Sequence, residues 1–119
     1  MSLILHSKKD TLIVRVLGDL DLVSADEIRE KIDNSLEETR AQNLLLDLSK
    51  ITFMDSSGLG VILGRYRQIK EGRGQMIIYG IKPSLKKILE ISGIMSLMPV
   101  CNTEKEAWEL LDEKSVKEA

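Results

Sequence analysis

The chain has 119 residues, 43% of them apolar and 30% charged, which is the balance of one folded globular domain and not of a disordered segment. Seventeen Lys and Arg against nineteen Asp and Glu leave a net charge of -2, without the cationic face that direct binding to nucleic acid or anionic lipid requires. One cysteine, Cys101, and one histidine, His6, exclude an internal disulfide and nearly exclude a Cys/His zinc site, although carboxylate sites for Mg²⁺ stay open. Residues 1–9 lack the basic-then-apolar order of a signal peptide, and apolar runs such as 51–54 are far too short to cross a bilayer. A protein of the reducing cytoplasm with no membrane segment is expected. Aromatic residues at 3% also disfavour base-stacking or sugar-stacking platforms.

In chain order, Leu3-Ile4-Leu5 reads as a short strand that turns through Lys8-Lys9-Asp10 into an antiparallel neighbour, Thr11-Leu12-Ile13-Val14-Arg15-Val16-Leu17. After Gly18-Asp19-Leu20-Asp21, the segment Ser24-Ala25-Asp26-Glu27 has the form of a capping box, in which Ser24 would accept from the Glu27 amide. Ile28, Ile32 and Leu36 then give a helix over residues 25–39 one apolar face. Leu44-Leu45-Leu46-Asp47-Leu48 is the nearly continuous apolar run of a strand covered on both faces. Residues 51–54 extend the apolar character up to Asp55-Ser56-Ser57-Gly58, where a helix with inner residues Leu59, Ile62, Leu63, Tyr66 and Ile69 begins.

Gln75-Met76-Ile77-Ile78-Tyr79 is the next strand, and Pro83 leads into a helix carrying Leu85, Ile88, Leu89 and Ile91 that Gly93 closes. Residues 96–100 read as a weak final strand, and Thr103-Glu104-Lys105-Glu106 as a second capping box before a helix with Ala107, Leu110 and Leu111. Four βα units in succession imply a single α/β domain over residues 1–119, with an open, mostly parallel sheet and a short antiparallel N-terminal strand. Its ordered core spans about residues 3–112, and residues 113–119 fray.

Function in open α/β sheets gathers at the carboxyl ends of the strands. The most informative such loop is Phe53-Met54-Asp55-Ser56-Ser57-Gly58, where apolar Phe53 and Met54 anchor an acid and two hydroxyls at a helix start. Those residues are also good capping chemistry, but one cap needs one residue, so at least one hydroxyl should face solvent. A dinucleotide fingerprint fails because its third glycine falls on Leu63; Gly60 and Gly64, four apart, read as close packing against a neighbour. No Gly-Lys-Ser/Thr follows for a Walker loop. Nucleophilic hydrolysis lacks a base near Ser56, His6 reads as solvated surface, and Cys101 reads as a small semi-buried hydrophobe. Asp19, Asp21 and Asp55 would suit a receiver-like phosphoryl or Mg²⁺ cluster only with a lysine at a later strand end, for which Lys82 is the sole candidate.

There remains a serine that is acted upon. A phosphate adds about -1.5 to -2 charges at pH 7. At Ser56 it would stand beside Asp55, tolerated by the positive helix start but repelling a partner docked there.

From Phe53 to Tyr66 the sequence resembles the phosphorylation-site helix of anti-sigma factor antagonists in the bacterial STAS family, and Gly18-Asp19-Leu20-Asp21 resembles that family's Gly-Glu-Leu-Asp loop. The match through Arg65-Tyr66 is similar to the sporulation subgroup in particular. The resemblance implies a βα superhelix without enzymatic activity or cofactor. Unphosphorylated, it would bind an anti-sigma factor that is also a serine kinase and so release the sigma factor. Phosphorylation would end that binding, and a PP2C-type phosphatase would restore it. The phosphoacceptor maps to Ser56, with Ser57 as a cap or local hydrogen-bond donor, Asp21 as the interface acid, and Asp55, Gly58, Leu59 and Gly60 beside the acceptor. Nothing demands more than a monomer. Asp19 stands where the family has Glu, and Arg73 where it often has glycine. The alternative reading is a STAS module that senses a nucleotide or other small ligand within a larger assembly. His6 and Cys101 receive no functional role.

Overall fold

The computed structural model describes residues 3–118, with side chains through Glu113. Strand β1 (Leu3–Lys8) turns at Lys9, which adopts φ 57°, into antiparallel β2 (Thr11–Val16) with Leu5 opposite Val14. Parallel neighbours β4 (Asn43–Asp47), β6 (Met76–Tyr79) and β7 (Val100–Cys101) complete a five-stranded sheet of order β1-β2-β4-β6-β7. Helices α1 (Ala25–Thr39), α2 (Ser56–Glu71), α3 (Pro83–Ser92) and α4 (Glu104–Glu118) follow in the expected alternation. The α4 backbone continues past the expected end of order at residue 112. Fraying of residues 113–119 was expected largely where side chains lie outside the described residues.

Period-two alternation in the strands divides the interior into two cores. Leu12, Val14, Leu44, Leu46, Met76 and Ile78 join the main core with Ile28 and Ile32 of α1, Ile62 and Ile69 of α2, and Leu89 of α3. The intervening residues Leu45, Ile77 and Tyr79 face the other way and pack with Ala107 and Leu111 of α4. The leucine run of β4 is thus covered on both faces, as its composition predicts. Near this second core the Lys8 ammonium lies 5.5 Å from the centre of the Trp108 ring.

Two short segments form elements that the sequence did not separate from loops. β3 (Gly18–Leu20) and β5 (Ile51–Met54) pair in parallel as a second, two-stranded sheet. Gly18, at φ 83°, breaks the chain direction after β2, and the register shifts between Gly18 and Asp19. Three and four residues are too few for alternation to become a readable period. The weak final strand expected at 96–100 also moves. Ile94–Ser96 is a 3-10 turn, and only Val100–Cys101 pairs with the sheet.

α2 is rotated from its expected setting. Gly58, Val61, Ile62, Arg65 and Ile69 are its buried residues, whereas Leu59, Leu63 and Tyr66 are half-buried at the core margin. The close approach of Gly58 to Leu20 turns the helix: a Cβ at position 58 would lie 2.2 Å from the Leu20 carbonyl oxygen. Gly60 and Gly64 have nothing within 4 Å of where a Cβ would stand, so the packing expected for them is absent. Arg73 occupies the turn after α2 at φ 62°, a left-handed conformation in which a glycine would be unstrained.

Candidate functional site

The loops after β3 and β5 meet at the start of α2. Asp55 is the N-cap: its backbone is extended, and its Oδ1 accepts from the Ser57 N–H at 2.9 Å and the Gly58 N–H at 3.2 Å. Its Oδ2 accepts from the Leu22 N–H at 3.2 Å, which ties the β3–α1 loop to the helix start. One carboxylate therefore fills the capping role. Neither Ser56 nor Ser57 hydroxyl makes a hydrogen bond to a described residue, so Ser57 contributes its backbone N–H and not the side-chain cap or donor expected of it.

The two serines differ in setting. Ser56 is exposed on the first residue of α2. Ser57 is half-buried and lines a cleft of about 350 Å³ between α1 and α2, shared with Leu22, Asp26, Arg29 and Gly60. Gly58 is buried, Leu59 half-buried and Gly60 exposed beside them.

The loop bearing Asp21 is closed on itself. Asp21 Oδ1 accepts from the Ser24 N–H at 3.0 Å and lies 3.1 Å from the Ser24 hydroxyl, which also accepts from the Asp21 N–H at 3.1 Å and lies 2.8 Å from the Asp19 carbonyl oxygen. Ser24 thus supplies no side-chain cap to α1, and the capping box expected there does not form. Glu27 instead pairs with Lys31 at 2.7 Å. At the other predicted box, the Thr103 hydroxyl accepts from the Glu106 N–H at 3.2 Å as expected. Asp19 Oδ1 accepts from the Thr52 hydroxyl at 2.8 Å and fastens β3 to β5. Asp19, Asp21 and Asp55 are thus each engaged with a different partner, and no group of three ligating side chains converges among the described residues.

Tightening this loop leaves Leu22 75% and Val23 91% exposed. Phe53, expected to anchor the site, is 50% exposed, and Met54 alone is buried. These apolar side chains beside the exposed serine are the feature that sequence reasoning missed. The available signal was two apolar residues, Leu22 and Val23, placed between a strand and a helix with no element to cover them.

The remaining singled-out residues lie elsewhere. His6 is exposed on β1. Cys101 sits with its sulfur 3.8 Å from the Ile78 carbonyl oxygen and 3.7 Å from that of Thr103, and burial followed by the Glu106 charge pushes its thiol pKa up. That opposes thiolate formation. Arg65, unremarked by periodicity, is buried between α2 and α1 with its Nε 3.0 Å from Asp33 Oδ1, and burial lowers its pKa.

Fold and site together define an open α/β domain of βα units whose capped second-helix start presents one free, exposed serine amid apolar side chains. The STAS domain family matches residues 2–107, and the chain belongs to that family. An anti-sigma F factor antagonist of Paenibacillus polymyxa is 37% identical over 99 residues, 83% of this chain and 85% of the relative. An anti-sigma-B factor antagonist of Listeria monocytogenes is 26% identical over 97 residues, 82% of this chain and 84% of that one. The solved structure of the Bacillus cell fate determinant SpoIIAA in its phosphorylated form superposes with a TM-score of 0.71 at 29% identity, covering 90% of this chain and 96% of SpoIIAA. Its unphosphorylated form gives 0.71 at 26% identity over 92% and 97%. Among the described residues, no helix is long and apolar enough to cross a membrane.

Proposed function

We propose that this protein is an anti-sigma factor antagonist with no catalysis of its own, acting in the cytoplasm and switched by phosphorylation of Ser56. In this reading the unphosphorylated form binds an anti-sigma factor that is also a serine kinase, and so frees the sigma factor for transcription. The kinase transfers phosphate from ATP to the Ser56 hydroxyl, the complex parts, and a PP2C-type phosphatase resets the protein.

The observation that carries the reading is the division of labour at the start of α2. Asp55 takes the capping hydrogen bonds, so the exposed Ser56 hydroxyl stays free for a kinase. Around it, Leu22, Val23 and Phe53 offer apolar contact, with Leu59 and Gly60 on the next turn. Asp21 and Ser57 serve as partner-contact positions, and Gly58 lets the helix start seat against Leu20.

Physics supplies the switch. The positive end of α2 tolerates a phosphate in the folded protein. A docked partner does not escape it: two added charges about 6 Å from one carboxylate cost on the order of 1 to 5 kcal/mol, between about tenfold and several thousandfold in affinity. The test is Ser56→Asp, which should keep the circular dichroism of the wild type and lose binding to the anti-sigma kinase. Wild-type affinity in Ser56→Asp, with loss in Ser57→Asp, would move the acceptor to Ser57.

A further inference from the structure

Helix α2 presents two flanks. Ser57, Val61, Arg65 and Gln68 turn toward α1. On the opposite side Ser56, Leu59, Leu63, Arg67 and Lys70 recur at three- and four-residue steps, one continuous stripe down the helix. The far half of that stripe opens into a groove of about 450 Å³ lined by Leu63, Tyr66, Arg67, Lys70, Glu71 and Leu97. Leu97, just past the 3-10 turn, is 47% exposed.

Arg15, Arg29, Lys31 and Arg65 each hold a carboxylate, whereas Arg67 and Lys70, like Lys9, Arg40, Lys50 and Lys86, pair with none among the described residues. In a chain of net charge -2, this groove sets two unpaired cations and the Glu71 carboxylate beside the exposed aliphatic side chain of Leu97.

We propose that the groove is the second half of the partner surface, and that it receives a segment of the anti-sigma factor in which an apolar side chain is flanked by acidic ones; this rests on the anti-sigma-antagonist reading above. Two arguments select that occupant. The stripe runs without a break from the phosphoacceptor into the groove, so a partner seated over Ser56 already lies along its axis. With the Glu71 carboxylate counted, Arg67 and Lys70 still leave the groove lining one net positive charge, which favours acid over base. At 1.5 Å per residue, Arg67 lies about 16 Å along α2 from Ser56. That exceeds a Debye length of about 8 Å at physiological salt, so the groove adds its attraction independently of the phosphate.

The test titrates the anti-sigma kinase with the full chain at about 50 mM and about 300 mM salt. Arg67→Glu/Lys70→Glu, both exposed on a helix, should bind about tenfold or more weakly at the lower salt, with the gap narrowing at the higher. Leu97→Ser should weaken binding equally at both. Variants that bind like a wild type that itself binds normally overturn the groove and leave the proposed function standing. A wild type that does not bind overturns both. A charge-reversal loss of equal size at both salts overturns the acidic chemistry. Unchanged kinase affinity, together with wild-type sedimentation on phosphatidylglycerol vesicles that the double variant loses, reassigns the face to a membrane and overturns the proposal.

Discussion

Ser56 and Ser57 carry the same hydroxyl on adjacent residues, and burial separates them: the first is exposed, the second lines the cleft against α1. The glycines that follow separate as sharply. A Cβ at 58 would meet the Leu20 backbone oxygen at 2.2 Å and the Met54 side chain at 3.0 Å, so Gly58→Ala should destabilise by about 3 kcal/mol through overpacking against backbone. At Gly60 nothing lies within 4 Å, and Gly60→Ala should stabilise by about 1 kcal/mol through helix propensity. Thermal denaturation followed by circular dichroism should therefore shift in opposite directions for substitutions two residues apart. Shifts of the same sign would contradict the seating of α2 on β3. Both glycines stood in one motif, and only the fold shows which one a neighbour's backbone requires.

At the scale of elements, Asp55 joins α2 to the β3–α1 loop through its bonds to the Ser57, Gly58 and Leu22 amides. Asp55→Ala should cost about 1 to 2 kcal/mol in urea denaturation, the range of a lost cap, while Asp55→Asn keeps an accepting oxygen and most of that stability. The elements legible in sequence were those with long periods or strong caps. Ile28, Ile32 and Leu36 placed α1 at residues 25–39, where it lies, and the leucines of β4 announced burial on both faces. The order of βα units and the helix start at Asp55 were equally readable. What escaped depends on contacts between distant segments. β3 and β5 exist because they pair with each other. Ser24 is drawn into its own loop by Asp19 and Asp21 before it can cap α1. Arg65 is buried because α1 offers Asp33 across the seam, which a 3.6-residue period does not reveal. Phe53 lies on a short strand and stays 50% exposed.

For the molecule as a whole, the two cores share one sheet, and a polar cluster closes its α4 side. Burial raises the pKa of Asp47, but hydrogen bonds from Ser49 and Arg15 outweigh it and hold the carboxyl below its ordinary 3.8. Burial first, then the Asp47 and Glu104 charges, raise the Tyr79 hydroxyl well above its ordinary 10.0. The signs follow from linkage. Asp47 contributes stability above about pH 4 that is lost as pH falls through its lowered folded value. Tyr79 contributes stability below about pH 10 that is lost as pH rises toward its raised folded value. Urea midpoints should fall on the acid side as Asp47 is protonated, and on the alkaline side as the unfolded chain first ionises Cys101, whose folded thiol is also raised, and then Tyr79. Asp47→Asn should flatten the acid limb and Tyr79→Phe the alkaline one; unchanged limbs would contradict the cluster. The proposed switch acts on one hydroxyl of the folded chain. The most direct measurement is to incubate the protein with the anti-sigma kinase proposed as its partner and Mg-ATP, and to locate the product phosphate by tandem mass spectrometry. One phosphate on Ser56, absent from Ser56→Ala, is the predicted result. No phosphate on Ser56, from a kinase shown to be active on another substrate, would contradict the account.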